Sequence, residues 1–581
     1  MGKEFEAYTY LGAHVDSSGV WFRTFAPLAK NVSIIGDFND WIPQQMEHVY
    51  NNDFWQIHID AALPGQMYKL QIEQEDGKIV EHADPYGFYA QLRPESASII
   101  RDLNDYSFCD DGWKPDTTRM NIYEIHFGSW KKPGIQEDEW YTYEELGPIL
   151  IPYVKQMGYN FIEIMPLNEY PCDQSWGYQA TGFFSPTSRY GSPDQLAKFV
   201  DYCHHNGIGV LLDFVPVHFA VNEYGLRNFD GSDLYSFDHD VKYNEWGSCN
   251  FNHARKEICS FLQSSAYYWL HEFHFDGLRM DAIGNLIFWQ GNYERGENKE
   301  AIQFLQVMNT GLKKLKPECI LIAEDSSSWP GVTHPVEEGG LGFDFKWDLG
   351  WMNDTLKYFS MDPFARGQHY HILTWSMAYF YNEKYLLPFS HDEVVHGKKT
   401  IVDKMFGSYE QKFAQARALY MYMYAHPGKK LNFMGNELGQ LREWDEKRGQ
   451  DWDILKYPMH SAFCRLIHDL NECYENHPAL YEWDDRLSGF SWIDCHLEDK
   501  NVYVMKRMNA AESIMAIFNF SGNEQVYECP SGVGKQLTLL LDSDGTWYGG
   551  NSDHPVMKMD IQNGYNMVIP AFTARFYQMN V

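Results

Sequence analysis

Residues 192–218 read Ser-Pro-Asp-Gln-Leu-Ala-Lys-Phe-Val-Asp-Tyr-Cys-His-His-Asn-Gly-Ile-Gly-Val-Leu-Leu-Asp-Phe-Val-Pro-Val-His. Ser192 is a helix N-cap, Pro193 suits the first helical position, and Gln195 at the third completes a capping box. Leu196, Phe199, Val200 and Cys203 then recur at i, i+3, i+4 and i+7 on one helical face, and Gly207 can close the helix. Residues 210–215 form the next strand, with Asp213 near its end. The unit is a helix leading into a buried strand that finishes on a carboxylate.

The same alternation extends both ways. Strands are predicted at 121–125, 161–165, near 275–280, and at 320–323, 343–347, 385–389 and 431–434, with helices over 254 to about 273 and over 300–316. Eight strand–helix units across residues 120–485 predict a central (β/α)8 TIM barrel. Upstream, 20–25, 32–35, 54–59 and 68–72 alternate and are broken by turn residues, so 1–108 reads as a small β-sandwich. The polar stretch 109–118 reads as a linker. From 486 to 581 helical periodicity is lost, and strands at 502–505, 514–520, 537–541 and 567–577 predict a C-terminal all-β sandwich. The fold class is multidomain α/β, and the 581 residues make three domains, because one of them is a barrel.

Composition narrows the partners. Asp plus Glu number 80 against 47 Lys plus Arg, a net charge of −33. Such a surface repels phosphate backbones, which argues against nucleic acid and against an anionic membrane. It does not repel neutral ligands. The 19 Trp, 39 Tyr and 37 Phe suit the flat apolar faces of sugars, although most belong in large cores. The N-terminus lacks a basic start followed by an apolar core, so no secretory signal is read. Gly2 is followed by Glu6 where myristoylation needs Ser or Thr. No uncharged apolar stretch reaches the ~18 residues of a span. The ten cysteines are scattered without a C-x-x-C and are expected to be buried, reduced thiols of a cytoplasmic protein. A monomer is compatible with the sequence.

Four carboxylates fall at predicted strand ends: Asp213, Asp281, Glu324 and Asp392. Active sites of such barrels lie at the C-terminal ends of the strands, and an acid there costs desolvation unless it is paired or used. One such acid is usually a cap or half of an ion pair; four at equivalent positions suggest glycoside transfer. That chemistry needs one carboxyl to protonate the leaving oxygen and another, about 5–5.5 Å away in retaining enzymes, to attack the anomeric carbon. Arg279 lies two residues before Asp281 and shares its side of the strand, so it can aim the carboxylate and keep it ionised. His218 and His391 are candidate donors to sugar hydroxyls. His391 and His396 are five residues apart, about 140° around a helix, which defeats a zinc reading. His271 and His274 also miss the spacing and are expected on an ordinary helix. Gly339–Gly342 reads as a turn. Neither a catalytic metal nor a cofactor is expected.

These residues are similar to the signature stretches of the α-amylase superfamily: Asp213-Phe-Val-Pro-Val-His218, Gly277-Leu-Arg279-Met-Asp281, Ala323-Glu324-Asp325 and Ser390-His391-Asp392. The resemblance implies Asp281 as nucleophile, Glu324 as general acid/base and Asp392 as transition-state stabiliser. It also implies substrate contacts from Tyr178, Asp213, His218, Arg279 and His391. Ser175-Trp-Gly-Tyr178-Gln, Ser326-Ser-Ser-Trp329-Pro-Gly-Val-Thr333, Ser390–Lys398, Phe433-Met-Gly-Asn-Glu437 and Arg442-Glu-Trp444 narrow it to 1,4-α-glucan (glycogen) branching enzymes. Gly36-Asp-Phe-Asn-Asp-Trp41 resembles their carbohydrate-binding module. Asp325 stands where Glu is commoner, and residues 283–288 depart from the usual bacterial wording. The chain starts at the module, without the extra N-terminal domain of many bacterial members. Glu393 within the fourth stretch, and Trp176 and Trp444 in predicted barrel loops, join the candidate substrate contacts. The family implies an α-glucan as both donor and acceptor. An amylase-like or debranching hydrolase with the same triad is the alternative reading, and a glucan-binding protein without catalysis a remote one.

Overall fold

The computed structural model describes residues 2, 4–50, 53–531, 533–553 and 555–580. Eight parallel strands close into a barrel: β1 (Asn121–Ile125), β2 (Phe161–Ile164), β3 (Gly209–Phe214), β4 (Gly277–Met280), β5 (Ile320–Ala323), β6 (Phe345–Trp347), β7 (Tyr385–Phe389) and β8 (Lys429–Phe433). The strands predicted from the sequence are all here, with ends shifted by at most two residues.

Strand parity builds the site. Ile122, Phe161, Leu211, Ile320, Ile322, Trp347, Leu386 and Leu431 form a dry cluster inside the barrel. Side chains two residues apart share a face. The next inward positions are therefore Glu124 above Ile122, Glu163 above Phe161, Asp213 above Leu211 and Glu324 above Ile322. A polar layer thus sits on an apolar floor, at the end where the strands finish. The alternate residues, among them Ile125, Ile162, Ile164, Val210, Leu212, Leu278 and Leu321, face outward into the larger core with the helices.

The helix Pro193–His205 starts as the sequence predicts, with Ser192 and Gln195 in a reciprocal capping box. Its expected stripe, Leu196, Phe199, Val200 and Cys203, is buried. His271 lies on the helix Lys256–Glu272, but His274 falls beyond its end in a left-handed conformation (φ 54°) and pairs with Asp110 at 2.9 Å.

The N-terminal module consists of one sheet built on Gly12–Asp16, Gly19–Phe25, Phe54–Ile59 and Glu47–Val49, and a second built on Gln44–Gln45, Asn31–Gly36, Met67–Glu73 and Ile79–His82. Tyr8 anchors it to the barrel: its N–H meets Ser264 Oγ at 3.0 Å and its hydroxyl Glu272 at 2.7 Å, both on the helix Lys256–Glu272. Residues 109–118 have no regular structure but are tied down. Asp110 pairs with His204 at 2.8 Å, and the Trp113 indole N–H donates to Asp276 at 2.7 Å.

The C-terminal region carries a six-stranded sheet, from Phe490–Leu497 through Thr573–Asn580 at its centre to Lys558–Asp560. The run predicted over 567–577 is two strands, Tyr565–Ile569 and Thr573–Asn580, lying in different sheets. Pro570, which cannot donate to a ladder, and the left-handed Phe572 (φ 53°) separate them. The cysteines need a correction too. All ten are free, but Cys109 and Cys172 are exposed and Cys464, Cys473 and Cys495 are only half-buried. The two exposed ones lie on loops rather than on inward faces. Among the described residues no helix is long and apolar enough to cross a membrane.

Candidate active site

Arg279, on β4, is fully buried, and it organises the mouth of the barrel. Its Nη1 lies 2.7 Å from both oxygens of Asp213 on β3 and 2.9 Å from Asp281 Oδ1. Its Nη2 is 3.5 Å from Glu324 Oε2, beyond the end of β5. The neighbouring register of Asp213 and Arg279 across β3 and β4 produces the first contact. The guanidinium rests on the Trp347 ring of β6, 4.4 Å from its centroid, which supports a cation without adding charge.

The second carboxylate is held from its own side. Ala282 takes a left-handed conformation (φ 49°) directly after Asp281. That bend turns its N–H onto Glu324 Oε2 at 2.7 Å. Burial pushes up the carboxyls of both Asp281 and Glu324, with the neighbouring acids adding to the rise and Arg279 opposing it. Two carboxyls this close titrate as a pair. Arg279 hydrogen-bonds Asp281 and lies 3.5 Å from Glu324, which favours the Asp281 anion, while the Ala282 N–H favours that of Glu324.

The loop after β2 supplies Tyr178, whose hydroxyl donates to Asp213 at 2.5 Å and sits 3.2 Å from His391 Nε2. The tyrosine and histidine rings stack at 5.7 Å. His391 opens the loop after β7. Burial would lower its pKa, but the carboxylates of Glu124 and Asp392 raise it to about 9. Asp392 is the most open of the acids here, with 53% of its side chain exposed. What burial remains would raise it, yet His391 and Arg279 hold it below the usual carboxylate range.

Tyr178, Asp213, Arg279, Asp281, Glu324, His391 and Asp392 are thus joined through direct contacts. The remaining candidates lie around them. His218 is buried in the short strand His218–Phe219, past the end of β3, with Nδ1 unpartnered, and burial lowers it to about 4, so the ring is neutral. Glu393 is turned aside toward Lys398 at 3.3 Å. Trp176 is half-buried, stacks on His396 at 5.2 Å and donates its indole N–H to Glu446 at 3.2 Å. Trp444 is buried behind Trp176 and His391, with its N–H committed to Ser129 at 2.8 Å. Its location is the back of the wall rather than its face. Trp41, by contrast, is exposed on the N-terminal module. Two groups of metal-ligating side chains occur among the described residues, His371 with His496 and Glu498, and His468 with Asp469 and Glu472; neither includes a residue of the mouth.

Glu124 and Glu163 escaped the sequence reading, which looked for acids at strand ends. Both sit inside short apolar runs, Ile-Tyr-Glu-Ile and Phe-Ile-Glu-Ile. The desolvation argument applied at the strand ends would have picked them out.

Comparison with known proteins is consistent along the chain. Carbohydrate-binding module 48 (isoamylase N-terminal domain) matches residues 10–87. The alpha amylase catalytic domain matches residues 150–246 and 242–521. Among solved structures, a putative alpha amylase from Salmonella typhimurium superposes with a TM-score of 0.75 at 18% identity, over 98% of this chain and 100% of that one. A pullulanase from Bacillus acidopullulyticus gives 0.76 at 16%, over 98% and 75%. At those identities they speak for the fold alone. Fold and matches define a barrel of the α-amylase family carrying an N-terminal carbohydrate-binding module. Curated relatives are more particular. The 1,4-alpha-glucan branching enzyme GlgB of Fusobacterium nucleatum is 44% identical over 562 residues, 94% of this chain and 91% of the relative. GlgB of Halothermothrix orenii is 44% identical over 578 residues, 95% and 91%. The chain belongs to the 1,4-alpha-glucan branching enzymes, a family of glycosyltransferases.

Proposed function

We propose that the protein cleaves an α-1,4 bond of a linear glucan and rejoins the cut chain to a 6-hydroxyl, with retention through a covalent glycosyl–Asp281 intermediate. The observation that carries this reading is Arg279, bonded to Asp281 and near Glu324 from one buried position. Asp281 Oδ attacks C1 of the donor sugar as the C1–O4 bond breaks, and Glu324 gives its proton to the departing O4. Glu324, now a carboxylate, takes the proton of the incoming 6-hydroxyl. O6 then bonds to C1, and the C1–Asp281 bond breaks. Asp392 faces the oxocarbenium-like centre as an anion. Tyr178, Asp213, His218, Arg279 and His391 bind the donor ring. Trp176 offers an indole face to the chain, with Trp444 backing it, and Glu393 acts through its contact with Lys398. Water must lose to the acceptor hydroxyl, so positioning decides between transfer and hydrolysis. The setting we propose is the cytoplasm, and the chemistry needs neither metal nor cofactor.

The test is incubation with amylose while iodine colour and reducing ends are followed together. Transfer lowers iodine absorbance while reducing ends stay nearly flat until a debranching enzyme is added. A parallel rise in reducing ends replaces this reading by a hydrolase, and no change in either by a binding protein.

A further inference from the structure

Glu124 on β1 and Glu163 on β2 take no part in the bond chemistry above, yet both are buried in the polar layer and are direct neighbours in the β1–β2 register. Both oxygens of Glu124 are committed to one residue. Oε1 meets His391 Nδ1 at 2.6 Å, and Oε2 accepts the His391 backbone N–H at 3.0 Å. Glu163 has no such partners; its Oε2 is buried without a hydrogen bond.

We propose that Glu124 is a positioning residue for the transfer reaction, gripping ring and backbone of His391 so that the opposite ring nitrogen, between Asp392 and Tyr178, is a fixed N–H donor to the sugar. This rests on the reading of the site given above. A carboxylate on Nδ1 sets the state of the ring and the direction of the other nitrogen. Nε2 is 3.2 Å from the Tyr178 hydroxyl and 3.5 Å from Asp392 Oδ1, so it points into the mouth. The charged and titratable groups around the ring are Glu124 from β1, His126 from the loop after it, Glu163 from β2, Tyr178 from the next loop, Asp213 from β3, Arg279 from β4 and Asp392 from its own loop. His126 is neutral, since burial lowers it to about 3. Burial and then the Glu124 charge push the Glu163 carboxyl well above the usual range. Of the two acids only Glu124 has hydrogen-bond donors to stabilise a carboxylate.

Two isosteric variants test this. Glu124→Gln has a single acceptor for two donors and no charge, so His391 loses one bond and its proton becomes labile. The expected result is a fall in kcat of about 10²-fold, with the alkaline limb of kcat/KM moved by at least about one unit to lower pH. Glu163→Gln replaces a neutral acid by a neutral amide and is expected to keep the wild-type limb. Glu124→Asp restores the charge and is expected to move the limb back while kcat stays low. An unshifted limb in Glu124→Gln, with kcat and Tm falling together, overturns the proposal, as does the same shift in Glu163→Gln. Histidine NMR, assigned through His391→Asn, tests the clamp separately, because His391 must titrate at lower pH in Glu124→Gln. If the wild type makes no branches, the reading of the reaction fails, while this titration still decides the clamp.

Discussion

Arg279 lies 2.9 Å from Asp281 and 3.5 Å from Glu324, so one cation favours ionisation of the first acid over the second. The proposed chemistry needs Asp281 unprotonated and Glu324 protonated. Activity is therefore expected to be lost as pH falls, when Asp281 gains its proton, and again as pH rises, when Glu324 and His391 lose theirs. Glu324→Gln should cost about 10²–10⁴-fold and leave an alkaline limb set by His391 alone, while amylose binding stays within a few-fold. Asp281→Ala should remove nearly all turnover, and an Asp281→Ala enzyme as fast as wild type would sink the assignment. The strand-terminal acids were legible in the sequence because each ends an apolar run. Glu124 and Glu163 were no less conspicuous, each lying one residue before the end of its strand as Asp213 does. The burial of Trp444 was not legible, because its partner Ser129 lies 315 residues away in the chain.

At the scale of elements, β4 and β5 lead into Asp281 and Glu324, the proposed nucleophile and acid/base, and Gly277 sets how closely the strands approach. A Cβ on Gly277 would stand 2.2 Å from the Ile320 carbonyl oxygen and 2.7 Å from Ile320 Cβ. Neither atom is the free end of a flexible chain, so Gly277→Ala must push the strands apart. The expected cost is about 1–3 kcal/mol in urea unfolding, with a fall in kcat larger than any change in amylose affinity. A variant with wild-type stability and kcat would show that the strands accommodate the methyl. Repeating strand–helix periodicity made the barrel readable. The C-terminal strands were less so: their alternation runs straight through Pro570, and only the tertiary pairing shows that the two halves join different sheets.

Across the whole molecule, buried cations fasten the barrel to the C-terminal sheet. Arg507, on the strand Val502–Met508, donates to the Ala425 carbonyl at 3.0 Å and pairs with Asp484 at 2.6 Å. Lys429 at the start of β8 reaches the same Asp484 at 3.1 Å. Arg366 donates to the Phe520 carbonyl at 2.9 Å, and the Tyr370 and Tyr503 rings stack at 4.0 Å. Arg507→Met leaves Asp484 with Lys429 as its ion-pair partner but strips the Ala425 carbonyl of its donor, so it should cost roughly 1–3 kcal/mol. Because the contact spans both parts, calorimetry should show a single transition moved down in temperature. Two separated transitions would mean that the C-terminal sheet and the barrel unfold independently. The fold class followed from periodicity, whereas this fastening depends on side chains distant in sequence, which no local pattern exposes.

The left-handed Ala282 has a bearing on directed evolution. An alanine there costs about 1–2 kcal/mol relative to its ordinary conformation, while glycine adopts it freely and loses only about 0.4–1 kcal/mol through the looser unfolded chain. Ala282→Gly is thus among the simplest ways to make this fold more heat-tolerant. The same replacement frees the peptide whose N–H holds Glu324. A library screened for thermal survival alone would accumulate this change and drift toward sturdier, slower enzymes, so selection here needs a turnover readout in every round.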